Sequence, residues 1–101
     1  TAVTADSNGY IYFDYTMSAG INNFKEDTFN NYAEQIILLD ADGNQVGKSA
    51  EFDSFTSPNV KIKFNVGTNA SGDYKLQFGP NVRGNNPGKK LNCYLNFDFT
   101  I

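Results

Sequence analysis

Val60-Lys61-Ile62-Lys63-Phe64-Asn65-Val66 alternates apolar and polar side chains without a break. Successive side chains of an extended chain point to opposite faces, so Val60, Ile62, Phe64 and Val66 line one face while Lys61, Lys63 and Asn65 line the other. The spacing predicts a strand with one dry side and one wet side. Tyr74, Leu76 and Phe78 repeat the pattern against Lys75 and Gln77. So do Ile11, Phe13, Tyr15 and Met17 against Tyr10, Tyr12, Asp14 and Thr16. The longest run is Leu91, Cys93, Leu95, Phe97, Phe99 and Ile101 against Asn92, Tyr94, Asn96, Asp98 and Thr100. Its parity places Cys93 inside as a small hydrophobe.

Turn signals punctuate these strands. Ile36-Ile37-Leu38-Leu39-Asp40 leads into Ala41-Asp42-Gly43-Asn44 and then Gln45-Val46-Gly47-Lys48. Residues that accept a positive φ between two strand-like runs predict a hairpin. Ser57-Pro58-Asn59, the stretch from Gly67 to Gly72 and the long stretch from Gly79 to Gly88 are further turns or loops. Ile21, Phe24, Thr28, Phe29 and Tyr32 recur instead at three- and four-residue spacing, with Asn22 or Asn23 available as a cap. A short helical turn around residues 22–32 and a structured loop both fit, since the asparagines there weaken a helix. Seven or so short strands with turns between them predict an all-β fold, a single antiparallel β-sandwich of jelly-roll-like connection. Its expected core includes Phe13, Ile37, Leu39, Ile62, Phe64, Leu76, Phe78, Leu95, Phe97 and Phe99.

The chain has 101 residues and a mass of 11.2 kDa, the size of one domain spanning residues 1–101. Eight basic against eleven acidic side chains leave a net charge of -3, which gives no general pull toward phosphate backbones, so nucleic acid is not an expected partner. The longest apolar run, Ile36 to Leu39, falls far short of the roughly 20 residues a membrane-spanning helix needs. Membrane insertion is not expected. Thr1 to Ser7 is the small, polar opening of an exported chain trimmed by signal peptidase or of one cut by design, so export is compatible with the sequence.

Catalysis finds little to work with. Histidine is absent and Cys93 is the single cysteine, which excludes an internal disulfide, a multi-thiolate metal site and histidine-dependent chemistry. Asp40-Ala41-Asp42-Gly43-Asn44 has oxygen ligands at alternate positions, but counted from Asp40 its glycine falls at position four rather than the six of an EF-hand, so a hairpin turn accounts for it. Eleven carboxylates guarantee accidental pairs, yet a sandwich of this size has little room for the cleft that glycoside hydrolysis requires. There is no phosphate-binding loop or nucleophile elbow. Neither enzymatic activity nor a cofactor or metal is expected. Asn69-Ala70-Ser71 matches a glycosylation acceptor formally, and loop chemistry explains it as well. Arg83, Lys89 and Lys90 read as a solvated loop.

Three stretches occur in a familiar order: Tyr12-Phe13-Asp14-Tyr15, the hairpin from Ile36 to Val46, and Ala70-Ser71-Gly72-Asp73-Tyr74-Lys75-Leu76. This order resembles the bacterial pre-peptidase C-terminal domains and their collagen-binding relatives. An early aromatic strand, an apolar strand ending in a D-x-[DN]-G turn and a G-x-Y strand follow one another there. Residues 21–33 and 79–91 depart from that pattern. The resemblance implies a secreted, non-catalytic binding or adhesion module whose partner is an extracellular glycan or a fibrous protein.

The residues that suit such a ligand are aromatic. The strand parity turns Tyr10 and Tyr12 outward, and on the last strand Tyr94 points outward between Asn92 and Asn96. If the first and last strands pair, all five share one exposed face. Tyrosine offers a rigid plane with a hydroxyl and asparagine offers amide hydrogen bonds, a combination suited to sugar rings or an extended polypeptide. The bland alternative is that tyrosines merely stabilise a sheet. The alternative function is self-association into an extracellular fibre or surface layer, for which the terminal strand Leu91 to Ile101 could complete a neighbour's sheet.

Overall fold

The structure is a computed structural model that describes residues 2–16, 26–56, 59–82 and 91–101. Met17, the caps at Asn22 or Asn23, the Ser57-Pro58 turn, Arg83, Lys89 and Lys90 lie outside the described residues. The elements run β1 (Tyr10–Thr16), α1 (Glu26–Asn30), a 3₁₀ turn (Ala33–Gln35), β2 (Ile36–Asp40), β3 (Glu51–Thr56), β4 (Asn59–Asn65), β5 (Asp73–Phe78) and β6 (Leu95–Thr100). Two antiparallel sheets form, one ordered β1-β4-β3 and the other β2-β5-β6. The fold is thus a small all-β sandwich, with six strands among the described residues, and the chain crosses between sheets from β1 to β2, from β2 to β3 and from β4 to β5.

β4 is the middle strand of its sheet, and its alternation puts Val60, Ile62 and Phe64 in the core between the sheets, while Val66 follows the strand and is half-buried. On β1 they meet Tyr15, Phe13 and Ile11 in register. Burying these apolar faces against the opposite sheet is the main source of stability here, at about 25 cal/mol per Å² removed from water. Rings from both sheets interlock: Phe13 packs edge-on against Phe99 at 5.1 Å, and Tyr15 against Phe78 at 5.2 Å. Phe29 of α1 and Tyr32 close one end of the core, 5.6 Å apart and fully buried. Of the residues at helical spacing, Phe29 lies on the five-residue helix and is buried in the core, while Ile21 and Phe24 lie outside the described residues.

Four parts of the expected core are corrected. On β2 the buried residues are Ile36 and Leu38, while Ile37 and Leu39 are only half-buried on the outward side. A continuous apolar run carries no parity of its own, and pairing decides it: Ile36 lies opposite Phe78 and Leu38 opposite Leu76. Leu95 and Phe97 share the inward parity of buried Phe99 yet are exposed, because β6 is an edge strand that the described residues leave partly uncovered at that end, where Phe97 meets Phe78 edge-on at 6.0 Å. Phe13 is half-buried and packs against the core. Cys93 is exposed rather than inside: Asn92 adopts φ 59°, which breaks the extended run, and β6 starts only at Leu95. Accordingly, a thiol reagent should modify Cys93 in the native protein at nearly the rate seen in denaturant. A native rate slower by about a hundredfold would restore the inward assignment.

Within the core the hydroxyls of Tyr15 and Tyr32 meet, 3.0 Å apart. Burial, reinforced by Tyr32, pushes the Tyr15 phenol well above its ordinary value. In the unfolded chain this phenol ionises near pH 10, whereas in the fold it stays neutral. Above about pH 10 the unfolded state therefore binds fewer protons than the native state, and stability falls as pH rises. Urea midpoints measured at about pH 8 and pH 11 should separate for the wild type, and Tyr15→Phe should narrow the gap. An unchanged gap would place the titrating group elsewhere.

Candidate functional site

The two sheets turn different surfaces outward. On the β1-β4-β3 side the outer face carries Tyr10, Tyr12 and Asp14 beside Lys61 and Lys63, with Tyr12 directly opposite Lys63 and Asp14 opposite Lys61. The Tyr10 and Tyr12 rings lie 6.5 Å apart, tilted by 38°. Lys61 Nζ sits 5.8 Å from the centre of the Tyr12 ring and Lys63 Nζ 5.1 Å from that of Tyr10, so both rings carry a cation. Asp6 organises the edge of this patch. Its carboxylate accepts the backbone N–H groups of Asn8 at 2.9 Å and Tyr10 at 3.0 Å, and the hydroxyl of Tyr12 at 2.9 Å. The Tyr10 N–H above all holds the Asp6 carboxyl below its usual range, and the same carboxylate raises the Tyr12 phenol. Tyr12 thus has a pinned hydroxyl and a ring beneath a lysine.

The remaining expected site residues lie elsewhere. β1 pairs with β4 and β6 with β5, so the first and last strands do not pair and the five residues do not share a face. Asn96 is on the outer face of the other sheet, where its Oδ1 accepts from Gln77 Nε2 at 3.0 Å. Asn92 serves a turn: its N–H donates to the Pro80 carbonyl at 2.9 Å. Tyr94 stands just before β6 and is 63% exposed. The tyrosine pair on β1 and the Asn92–Asn96 segment are therefore two separate surfaces.

A third surface was not foreseen from the sequence. β1 and β6 are the edges of the two facing sheets, and between them opens an apolar cleft of about 360 Å³. Phe13 and Tyr15 from β1, Phe78 from β5, and Leu91, Leu95 and Phe97 line it, with the exposed carboxylates of Asp14 and Asp98 at its rim. Leu95 is 38% and Phe97 52% exposed although both point into the sandwich. Both edges also present backbone groups. Thr100 O accepts from Val3 N at 2.8 Å on the side away from β5, and alternate residues of a strand face the same way, so the N–H and C=O groups of Asn96 and Asp98 face outward too. On β1 the Tyr10 carbonyl accepts from Asp6 N, which turns Tyr12, Asp14 and Thr16 outward by the same rule. Only the inward parity of Leu95 and Phe97 hinted at this cleft, and parity cannot say whether an edge is covered.

The acidic turn after β2 is structural in its bonding. Asp40 Oδ1 accepts the N–H groups of Asp42 and Asn44, both at 2.9 Å, which closes the expected hairpin turn, with Leu39 bridging to Gln45. Among the described residues no three His, Cys, Asp or Glu side chains are grouped to hold a metal ion, and no helix is long and apolar enough to cross a membrane. What the fold and its surfaces define is a small antiparallel sandwich with an open, apolar edge cleft. No family model, curated protein or solved structure matches the chain.

Proposed function

We propose that this chain is a secreted, non-catalytic binding or adhesion module that grips an extended segment of a fibrous protein along its open β1/β6 side. The observation that carries this reading is the exposure of Leu95 and Phe97 inside an apolar cleft flanked by two strand edges with outward-facing backbone groups. An added strand obtains main-chain hydrogen bonds from such an edge and places alternate side chains in the cleft, so backbone contacts supply affinity and the apolar pocket supplies selectivity. Of the two ligand classes the sequence suggests, the polypeptide suits this lining better, because sugars need side-chain donors and acceptors around an aromatic platform. The Tyr10–Tyr12 patch is the platform on which a glycan would sit, and there Lys61 and Lys63 already occupy the rings.

Immobilised fibrillar collagen and a glycan array, each probed with the wild type, Phe97→Ser and Tyr12→Ala, test the assignment. Capture by collagen should weaken by roughly thirtyfold in Phe97→Ser, about 2 kcal/mol for an aromatic anchor, and stay unchanged in Tyr12→Ala. Glycan binding that Tyr12→Ala abolishes and Phe97→Ser leaves intact would move the function to the outer face of β1.

A further inference from the structure

Four strand edges bound the two sheets, and three of them carry devices that discourage pairing with another chain. The β2 edge is covered by its own chain, with Val46 N donating to Leu38 O and Ala50 N to Ile36 O. β3 has a register shift between Phe52 and Ser54 and presents Glu51 and Asp53. β1 is bonded at Tyr10 by Asp6 and shows the charge of Asp14. β6 is different. Its one charged side chain, Asp98, is engaged by Lys75 at 2.9 Å, and among the described residues no backbone group bonds to its outward N–H and C=O groups between Tyr94 and Asp98.

We infer that, in the absence of a ligand strand, the β6 edge is closed by the β6 edge of a second copy of this chain, paired antiparallel about a two-fold axis at Asn96. The inference rests on the open β6 edge that the proposed function also uses. The register follows from the two ends of the free window. At one end Ala2 is bridged in parallel to Thr100 and Val3 N holds its outward carbonyl, and at the other the positive φ of Asn92 ends the extended backbone, which among the described residues leaves Tyr94 to Asp98, with Asn96 at the middle. An antiparallel pair centred there sets Leu95 against Phe97 of the second copy and Phe97 against its Leu95, so the two exposed apolar side chains of each chain cover those of the other. Asp98 then faces Tyr94 of the second copy and no like charges meet, whereas a pair centred on Asp98 would oppose two carboxylates and need the carbonyl that Val3 holds. The outward pairs exchange about six backbone hydrogen bonds. Because the axis consumes the same edge on both chains, assembly stops at two.

Light scattering of the full chain over a wide concentration range should show a mass of twice 11.2 kDa that falls to 11.2 kDa on dilution. Phe97→Lys should raise the dissociation constant at least about tenfold. Asn96→Pro removes one outward N–H without touching the ladder to β5, a place where an edge strand tolerates proline, and should abolish the dimer while thermal unfolding stays cooperative. Asn96→Cys in a Cys93→Ser background should cross-link on mild oxidation, since paired Cα atoms lie about 5.5 Å apart in that register, and Gln77→Cys in the same background should not. A mass of 11.2 kDa at every concentration, growth beyond two chains, or a dimer indifferent to both Phe97→Lys and Asn96→Pro would overturn the inference. If the dimer is absent but collagen capture still depends on Phe97, the binding reading survives alone. A Phe97-dependent dimer without any such capture supports the inference and sinks that reading.

Discussion

Phe64→Ala is expected to cost about 3–5 kcal/mol of folding stability, the range for deleting a buried phenyl ring whose site cannot collapse. Phe64 is 1% exposed on the central strand β4, opposite Ile11 of β1, with the Phe13 ring 6.0 Å away. Neighbours held in two sheets cannot close the cavity without shearing the ladder, so the loss combines transfer and void contributions. A domain of this size has only about 5–15 kcal/mol in total, and the variant should be close to unfolded at moderate denaturant. Phe97→Ala is the control: an equally large apolar residue at inward parity, yet half exposed, for which a cost below about 1 kcal/mol is expected. Urea denaturation of both variants distinguishes core from cleft. Equal losses would mean that Phe97 is packed and that the cleft does not exist as described.

The second large effect is at Gly9, which precedes β1 with φ 85°. A side chain there meets two obstacles. Its Cβ would lie 2.8 Å from both Cα and the carbonyl carbon of Gly67, which are backbone and cannot swing aside, and the left-handed conformation itself costs an L-residue about 1–2 kcal/mol. Gly9 O also accepts the Val66 N–H at 2.8 Å, so the clash acts where the β1–β4 ladder begins. Gly9→Ala should therefore destabilise by about 2–4 kcal/mol. Gly43 has nearly the same φ, 84°, but open space around it, and Gly43→Ala should show the conformational cost alone, about 1 kcal/mol. Two variants of equal stability would mean that β1 and β4 do not approach as closely as this at Gly9 and Gly67.

The sequence by itself determined the fold class and the strands whose two faces differ. Val60-Ile62-Phe64 against Lys61-Lys63 needs no tertiary information, because a strand with water on one side alone must alternate. The turn at Asp40–Asn44 was equally legible, since its glycine and carboxylate act through local backbone geometry. β3 was not, and the cause is physical: the irregularity after Phe52 shifts the parity, so Phe52 and Phe55 both reach the core at a spacing of three, which no two-residue template detects. Ile36 to Leu39 could not declare its inner face either, for apolar side chains on both sides carry no preference until Phe78 and Leu76 stand opposite.

Only the tertiary structure decided the candidate site. Periodicity says which way a side chain points and is silent on what lies in front of it. Leu95, Phe97 and Phe99 read identically in the chain, yet Phe99 is buried against Phe13 and Tyr74, while Leu95 and Phe97 stay exposed at an opening even though Phe97 meets Phe78 edge-on. Likewise Tyr10, Tyr12 and Asn96 have outward parity in their strands, and which sheet each strand joins placed them on opposite surfaces of the sandwich. Side-chain direction is a local property of one strand, whereas coverage and shared faces depend on strand order and sheet packing, which are set by the sum of long-range burial across the whole chain.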